Sequence, residues 1–163
     1  MEDMKLVYPT KEYEEGAFEY IQEFKDYKSE INGTGGLDRY DNYDEWLLKD
    51  RLPASTFFFV RTSDNIIVGM INIRHELNDF LFNEGGHIGY SIRPTERKKG
   101  YATLMLKLGL EKCKELNIHK VLITCDKINA ASAKVIQNNN GILENEIYSD
   151  TFSEIIQRYW IEV

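Results

Sequence analysis

Apolar positions along the chain change their spacing several times, and each change marks a new element. Met4–Tyr8 reads as a short strand. Tyr13, Ala17, Tyr20, Ile21 and Phe24 then recur at helical spacing, so a helix is expected from a cap at Thr10 to about Lys28. Asn32-Gly33-Thr34-Gly35-Gly36 breaks the pattern, and a second helix is expected over Tyr43–Arg51, ending before Pro53. Thr56–Arg61 and Ile66–Arg74 are strand-like and flank Ser63-Asp64-Asn65, a hairpin signal. Gly69 inside the second of these predicts a bulge or a close backbone approach. Gly86–Arg93 reads as a strand stopped by Pro94, Tyr101–Leu116 as a helix, Lys120–Cys125 as a strand and Ala130–Asn138 as a short helix. Ile142–Tyr148 and Glu154–Glu162 complete the chain as strands. The order β-α-α-β-β-β-α-β-α-β-β predicts an α/β (mixed α+β) fold of three α-β-α layers with a partly antiparallel sheet.

Composition narrows this picture. The 163 residues suit one domain, residues 1–163, large enough to bury a core without a staple. Two cysteines, Cys113 and Cys125, make a disulfide framework unexpected, and no Cys/His spacing suits zinc, so no metal is expected. No apolar run reaches the roughly 20 residues of a membrane span. Met1-Glu2-Asp3-Met4-Lys5 does not open a signal peptide, and a cytoplasmic protein without membrane contact is expected. The net charge of −7 disfavours a nucleic-acid partner. An acidic surface would favour cationic substrates such as amines, though it also serves solubility alone.

The most informative stretch is Ile88-Gly89-Tyr90-Ser91-Ile92-Arg93-Pro94-Thr95-Glu96-Arg97-Lys98-Lys99-Gly100-Tyr101-Ala102. A strand stops at a proline, a basic loop follows, and a glycine opens a helix. The first amides of a helix lack intrahelical partners and carry partial positive charge, so this is an anion site in waiting. Basic side chains there are unfavourable unless an anion sits beside them; otherwise Arg97, Lys98 and Lys99 form only a solvated turn. Neither the Rossmann nor the P-loop glycine pattern is present.

Arg97-Lys98-Lys99-Gly100-Tyr101-Ala102 resembles the R/Q-x-x-G-x-G/A signature of the GNAT superfamily of acyltransferases, with Ala102 where a second glycine is common. Asn129-Ala130-Ala131-Ser132, opening the helix that ends at Asn140-Gly141, resembles the family's second motif. The resemblance is specific over about residues 86–142. It implies a mostly antiparallel sheet splayed between its fourth and fifth strands, where acyl-CoA wedges, and acetyl-CoA as co-substrate. It implies a pyrophosphate loop of Arg97, Lys98, Lys99 and Gly100 with the first helical turn, Tyr101, Ala102 and Thr103. It also implies hydrogen bonds from Tyr90, Ser91 and Ile92 to the pantetheine arm, and Asn129 and Ser132 beside the cofactor. Asn129 is a good N-cap in its own right, and capping alone would also account for Ser132.

The implied reaction is transfer of acetyl from acetyl-CoA to a primary amine by direct attack in a ternary complex; a non-catalytic acyl-CoA sensor is the alternative. The amine must lose a proton and the oxyanion needs a donor. By resemblance that donor is the Tyr90 amide. The family's base position falls on Gly86, which cannot serve. Glu84, on the same face if the strand extends that far, and His87, with a suitable pKa, are the candidates. The position of the family's usual tyrosine acid is Ile136, so Tyr148 or water is left to protonate the thiolate. Cys125 reads as structural, since Asp126 would raise its pKa, and Cys113 lies on the core stripe of its helix.

The resemblance places the acceptor beside residues 32–42 and 75–85. The first holds Asp38, Arg39 and Asp41 and the second Glu76, Asp79 and Glu84, whose acidic groups would attract a cationic amine, and Phe80 and Phe82 either line a pocket or tether a solvated loop. The acceptor is a small-molecule or peptide amine, and a homodimer is compatible with an exposed last strand.

Overall fold

The computed structural model describes residues 3–49 and 53–163. Strands β1 (Met4–Val7), β2 (Ala54–Arg61), β3 (Ile66–Arg74) and β4 (Ile88–Ile92) form one antiparallel sheet in that order. Strands β5 (Lys120–Asp126), β6 (Ile142–Ser149) and β7 (Glu154–Glu162) form a second, in the order β5-β7-β6, also antiparallel. The break between the sheets falls between β4 and β5, where the splay is expected.

Alternation along the strands feeds two cores. Phe58 and Val60 of β2 and Met70 of β3 face α1 (Glu14–Asp26) and α2 (Tyr43–Lys49), meeting Ala17, Tyr20, Ile21, Phe24 and Trp46. Phe57, Phe59, Ile71 and Ile73 face the opposite way, toward α3 (Tyr101–Glu115) and α4 (Ala130–Asn138). The helices therefore cover both faces, giving three layers.

The irregularity expected at Gly69 sits beside it. Phe59 pairs with Gly69 and Val60 with Ile67, so Val68 is the extra residue of a bulge. A methyl group on Gly69 would lie 2.7 Å from Met105 Sδ and 2.8 Å from Ile92 Cδ1, so the close approach is present as well. α3 is seated by a second small residue: a methyl on Gly109 would lie 2.5 Å from Ile71 Cδ1.

Two boundaries bear on the site and differ from expectation. Thr10 precedes a 3-10 turn, Lys11–Tyr13, and its hydroxyl bonds the Glu12 carboxylate, not a helix amide. The fourth strand starts at Ile88, not Gly86. Residues Leu81–Gly85 coil into a π-helical turn, and Gly86 takes φ 71°. The expected end of the second helix at Arg51 lies outside the described residues.

Candidate functional site

The two sheets are pinned together at one end of the splay by one residue. The His87 N–H donates to Leu122 O at 2.7 Å, and the Leu122 N–H donates to His87 Nδ1 at 2.9 Å. The imidazole nitrogen thus stands where a carbonyl would stand in a continuous sheet. Gly86 permits the approach, because a methyl there would lie 2.7 Å from Leu122 O. Beyond this point β4 and β5 part. Burial, with the charge of Arg74, lowers the His87 pKa and keeps the ring neutral.

The parting leaves one edge of β4 open. The His87 carbonyl accepts from Arg74 N–H, and the Arg93 N–H donates to Val68 O, so odd-numbered residues of β4 face β3. By alternation, the main-chain groups of Tyr90 and Ile92 face the gap. The Ile92 carbonyl is taken by Arg97 Nε at 3.1 Å. Ser91 is committed elsewhere: its hydroxyl donates to Asn32 O at 2.6 Å and meets Tyr20 Oη at 3.0 Å, anchoring the glycine-rich loop and α1.

The loop after β4 is held from outside. Glu23 of α1 receives Arg93 and the amide and hydroxyl of Thr95, and Arg61 pairs with Glu96 at 3.0 Å. Lys98 at φ 63° and Gly100 at φ 82° both take the left-handed conformation, which turns the chain into α3. Of the three basic residues, Arg97 bonds Ile92 O and Ser29 and lies over the Phe24 ring, while Lys99 pairs with Glu96. Lys98 joins no ion pair among the described residues. The first turn of α3 contains no acidic residue. Its amides at Ala102 and Thr103 belong to the positions without intrahelical partners. The Tyr101 ring is buried against Phe59, so this residue borders the loop through its main chain. The residues expected to form an anion cradle are thus brought together, with Lys98 as the cation left for it.

Across the gap, α4 begins at Asn129, whose side chain accepts the Ser132 N–H at 3.1 Å. Asn129 is the cap. Ser132 Oγ lies 2.8 Å from Tyr90 Oη, so β4 and α4 are bridged by two hydroxyls. Burial pushes the Tyr90 phenol up to about 12. The Cys125 thiol, beside the same pair, is raised to about 11 by burial and by Asp126, so it is protonated at neutral pH. Cys113 is fully buried and raised to about 12.

The other expected site residues are distributed differently. Glu84 is not on β4; it lies in the π-helical turn, its carbonyl accepting from Thr124 Oγ1 of β5 at 2.7 Å, and its carboxylate makes no hydrogen bond among the described residues. Tyr148 stands on β6, the outer strand of its sheet, where it is exposed. Two strand spacings, about 10 Å, separate that strand from β5. Phe80 and Phe82 are both exposed and pack on Phe152 and Trp160, with Arg158 over Phe82. They neither tether the loop by burial nor line the cavity described next.

That cavity, of about 380 Å³, lies on the α1/α2 side of β3 and β4. The glycine-rich loop, with Asp38, Arg39 and Tyr40 after it, walls it. Its other lining came with no expectation: Asn72 and Arg74 of β3 and Lys49 of α2. The signal was present, since Asn72 and Arg74 are the polar positions of an otherwise apolar strand, on the same face as Met70.

A family model described as "Acetyltransferase (GNAT) domain" matches residues 6–141. Solved structures of similar fold include the ribosomal-protein-S5-alanine acetyltransferase of Vibrio fischeri, at 17% identity and a TM-score of 0.76, covering 99% of this chain and 94% of that one. RimL, a ribosomal L7/L12 α-N-protein acetyltransferase in complex with coenzyme A, has 14% identity and a TM-score of 0.74, covering 98% and 94%. YncA of Salmonella typhimurium, a putative acetyltransferase with its cofactor acetyl-CoA, has 11% identity and a TM-score of 0.68, covering 98% and 93%. The curated proteins compared give no match.

Proposed function

Since the chain belongs to the GNAT acetyltransferase family, we propose that it moves the acetyl group of acetyl-CoA to a primary amine by direct attack, with both substrates held at once. The observation that carries this is the open edge of β4 running from the His87 pin to a left-handed, cation-bearing loop at the start of α3. The strand edge suits an extended amide-bearing arm, and the loop suits a diphosphate.

In this reading Lys98, the Gly100 loop and the first amides of α3 hold the pyrophosphate, and Arg97 shapes the loop. Acetyl-CoA supplies the activated acyl thioester. The Tyr90 N–H, facing the gap, donates to the carbonyl oxygen as negative charge develops there. Glu84, at the mouth of the splay with its carboxylate unengaged, takes the amine proton through water. His87 is a poor base because its Nδ1 already accepts a main-chain N–H. The Tyr90 hydroxyl, near pKa 12, is a weaker acid than an ordinary thiol near 8.5. It therefore hydrogen-bonds the departing sulfur, and solvent protonates it. Holding both substrates supplies much of the rate without an acyl-enzyme.

The test is thermal unfolding with saturating acetyl-CoA, with inorganic phosphate as control, followed by thiol release with a panel of amines. At 100 times its dissociation constant a ligand adds about 2.7 kcal/mol, which for this size raises the midpoint by about 5–10 °C. A rise specific to acetyl-CoA, with amine-dependent thiol release, is expected. Absence of the shift, or a shift without turnover of any amine, overturns the proposal.

A further inference from the structure

The cavity on the α1/α2 side carries a charge pattern opposite to that of the whole chain. Arg39, Lys49 and Arg74 line it against one carboxylate, Asp38, which is already engaged by the Thr34 hydroxyl. Lys49 lies over the Tyr40 ring and Arg39 is exposed at the rim. Arg74 is the informative residue. Its guanidinium Nη1 reaches two carbonyls, Gly85 O at 3.3 Å and Gly86 O at 3.4 Å, and no carboxylate among the described residues pairs with it. Arg74 is half-buried, and its partial burial lowers its pKa. A partly desolvated cation gains from a ligand that brings negative charge to it.

The wall of the cavity also rests against β4. A methyl on Gly33 would lie 2.6 Å from Tyr90 Cα and 2.8 Å from Gly89 O, so the glycine loop rests on β4 at the residue whose amide faces the gap. A methyl on Gly89 would lie 3.0 Å from Arg74 Nη2, so the guanidinium sits one residue from Tyr90 along the strand. Asn72, buried beside Arg74, donates to Thr56 Oγ1 at 3.0 Å and offers the rest of its carboxamide to the cavity.

We infer that this cavity binds the acceptor and that the acceptor is an amine carrying an anionic oxygen group, carboxylate or phosphate, held by Arg74 with Arg39 and Lys49 at the rim. The inference rests on the transferase reading and names its substrate class. Arg presents a planar fork matched to both kinds of anion. The volume fits a small molecule. The same cations disfavour a protonated amine nearby, which helps deliver the neutral nucleophile the reaction needs.

Matched pairs of amines test it: free amino acids against their carboxamides, and 2-aminoethyl phosphate against 2-aminoethanol, each assayed for thiol release from acetyl-CoA. The anionic member of at least one pair is expected to have the higher kcat/KM by about tenfold to a hundredfold. Which pair shows it separates carboxylate from phosphate. Arg74→Gln is expected to collapse the ratio toward one through KM, and Arg74→Lys to restore part of it. The stabilisation by acetyl-CoA should persist in both, which a merely unfolded variant would not show. Thermal shifts with the same amines in the presence of coenzyme A give a second readout, with stabilisation by the anionic members in the wild type, part of it in Arg74→Lys and none in Arg74→Gln. Equal use and equal binding of charged and neutral members, or a ratio unmoved by Arg74→Gln, overturns the inference while leaving the transferase reading intact. No effect of acetyl-CoA on any variant overturns the transferase reading itself.

Discussion

His87 is the residue at which a structural and a catalytic role make opposite predictions. Replacing it with alanine leaves the buried Leu122 N–H without its acceptor, at a cost of about 1–3 kcal/mol, and removes the packing of the ring. A loss of about 2 kcal/mol lowers the unfolding midpoint by about 4–8 °C for a chain of this size. His87→Asn places Oδ1 at the same distance along the side chain as Nδ1 and should recover most of the loss. The pH dependence follows from the lowered pKa. As pH falls, the unfolded chain takes up this proton first, near 6.5. The contribution of His87 is therefore complete above about pH 6.5 and is lost as pH falls toward the folded value, at no more than about 1.4 kcal/mol per pH unit. His75 and His119 are common to wild type and variant, so the difference in slope between wild type and His87→Asn isolates His87. Urea unfolding between pH 5.5 and 8, with kcat measured in parallel, checks both. The reasoning is refuted if His87→Asn folds and binds acetyl-CoA normally yet loses about a hundredfold or more in kcat together with the acidic limb of its pH profile. That outcome would make the imidazole the base.

Three further changes probe the rest of the site. Gly100→Glu places a carboxylate in the anion cradle and should abolish the acetyl-CoA-induced thermal shift, whereas Gly100→Asn, which tolerates φ near 82°, should keep the fold. Glu84→Gln should lower kcat by about 10²–10⁴ with unchanged acetyl-CoA affinity by calorimetry, and Tyr148→Phe on the outer strand should leave kcat as it is. Gly109→Ala drives a methyl into Ile71 Cδ1, and repacking of that side chain offsets the gain of about 1 kcal/mol in helix propensity, so urea unfolding should show no net stabilisation and the acetyl-CoA affinity of the folded protein should be unchanged.

What could be read in advance, and what could not, divides along physical lines. Ile66–Arg74, Ala130–Asn138 and Glu154–Glu162 begin and end where their spacing says they do, because the signals that bound them, turn residues and the Asn129 cap, are local. The turn proposed as the cradle was legible as a turn because its parts are contiguous: proline stop, basic loop, glycine, helix. The start of β4 was not, because its limit is set by a neighbour distant in sequence. Gly86 turns aside where the main chain meets Leu122, and residues 81–85 coil to accommodate it. Glu84 therefore belongs to a turn and not to a strand face, and periodicity along the segment could not show that.

If the cavity takes the acceptor, as inferred above, its lining and the composition of the whole chain point opposite ways. A net charge of −7 and the acidic residues of two loops argued for attraction of a cationic amine. Interactions between exposed charges are screened within about 8 Å at physiological salt, so a ligand inside a cavity responds to its lining and not to the sum over the surface. Glu76 and Asp79 are exposed and do not line the cavity, and Asp38 is held by Thr34. The cations that do line it come from three separate segments, α2, β3 and the 3-10 turn Leu37–Arg39 after the glycine loop, and only folding collects them. Lys98 is placed by a left-handed turn at the other end of the same strand. Lys98 beyond one end of β4, and Arg74 with Arg39 and Lys49 near the other, are the cations that a diphosphate and an anionic amine would pair with in the proposals above, with the Tyr90 amide between them.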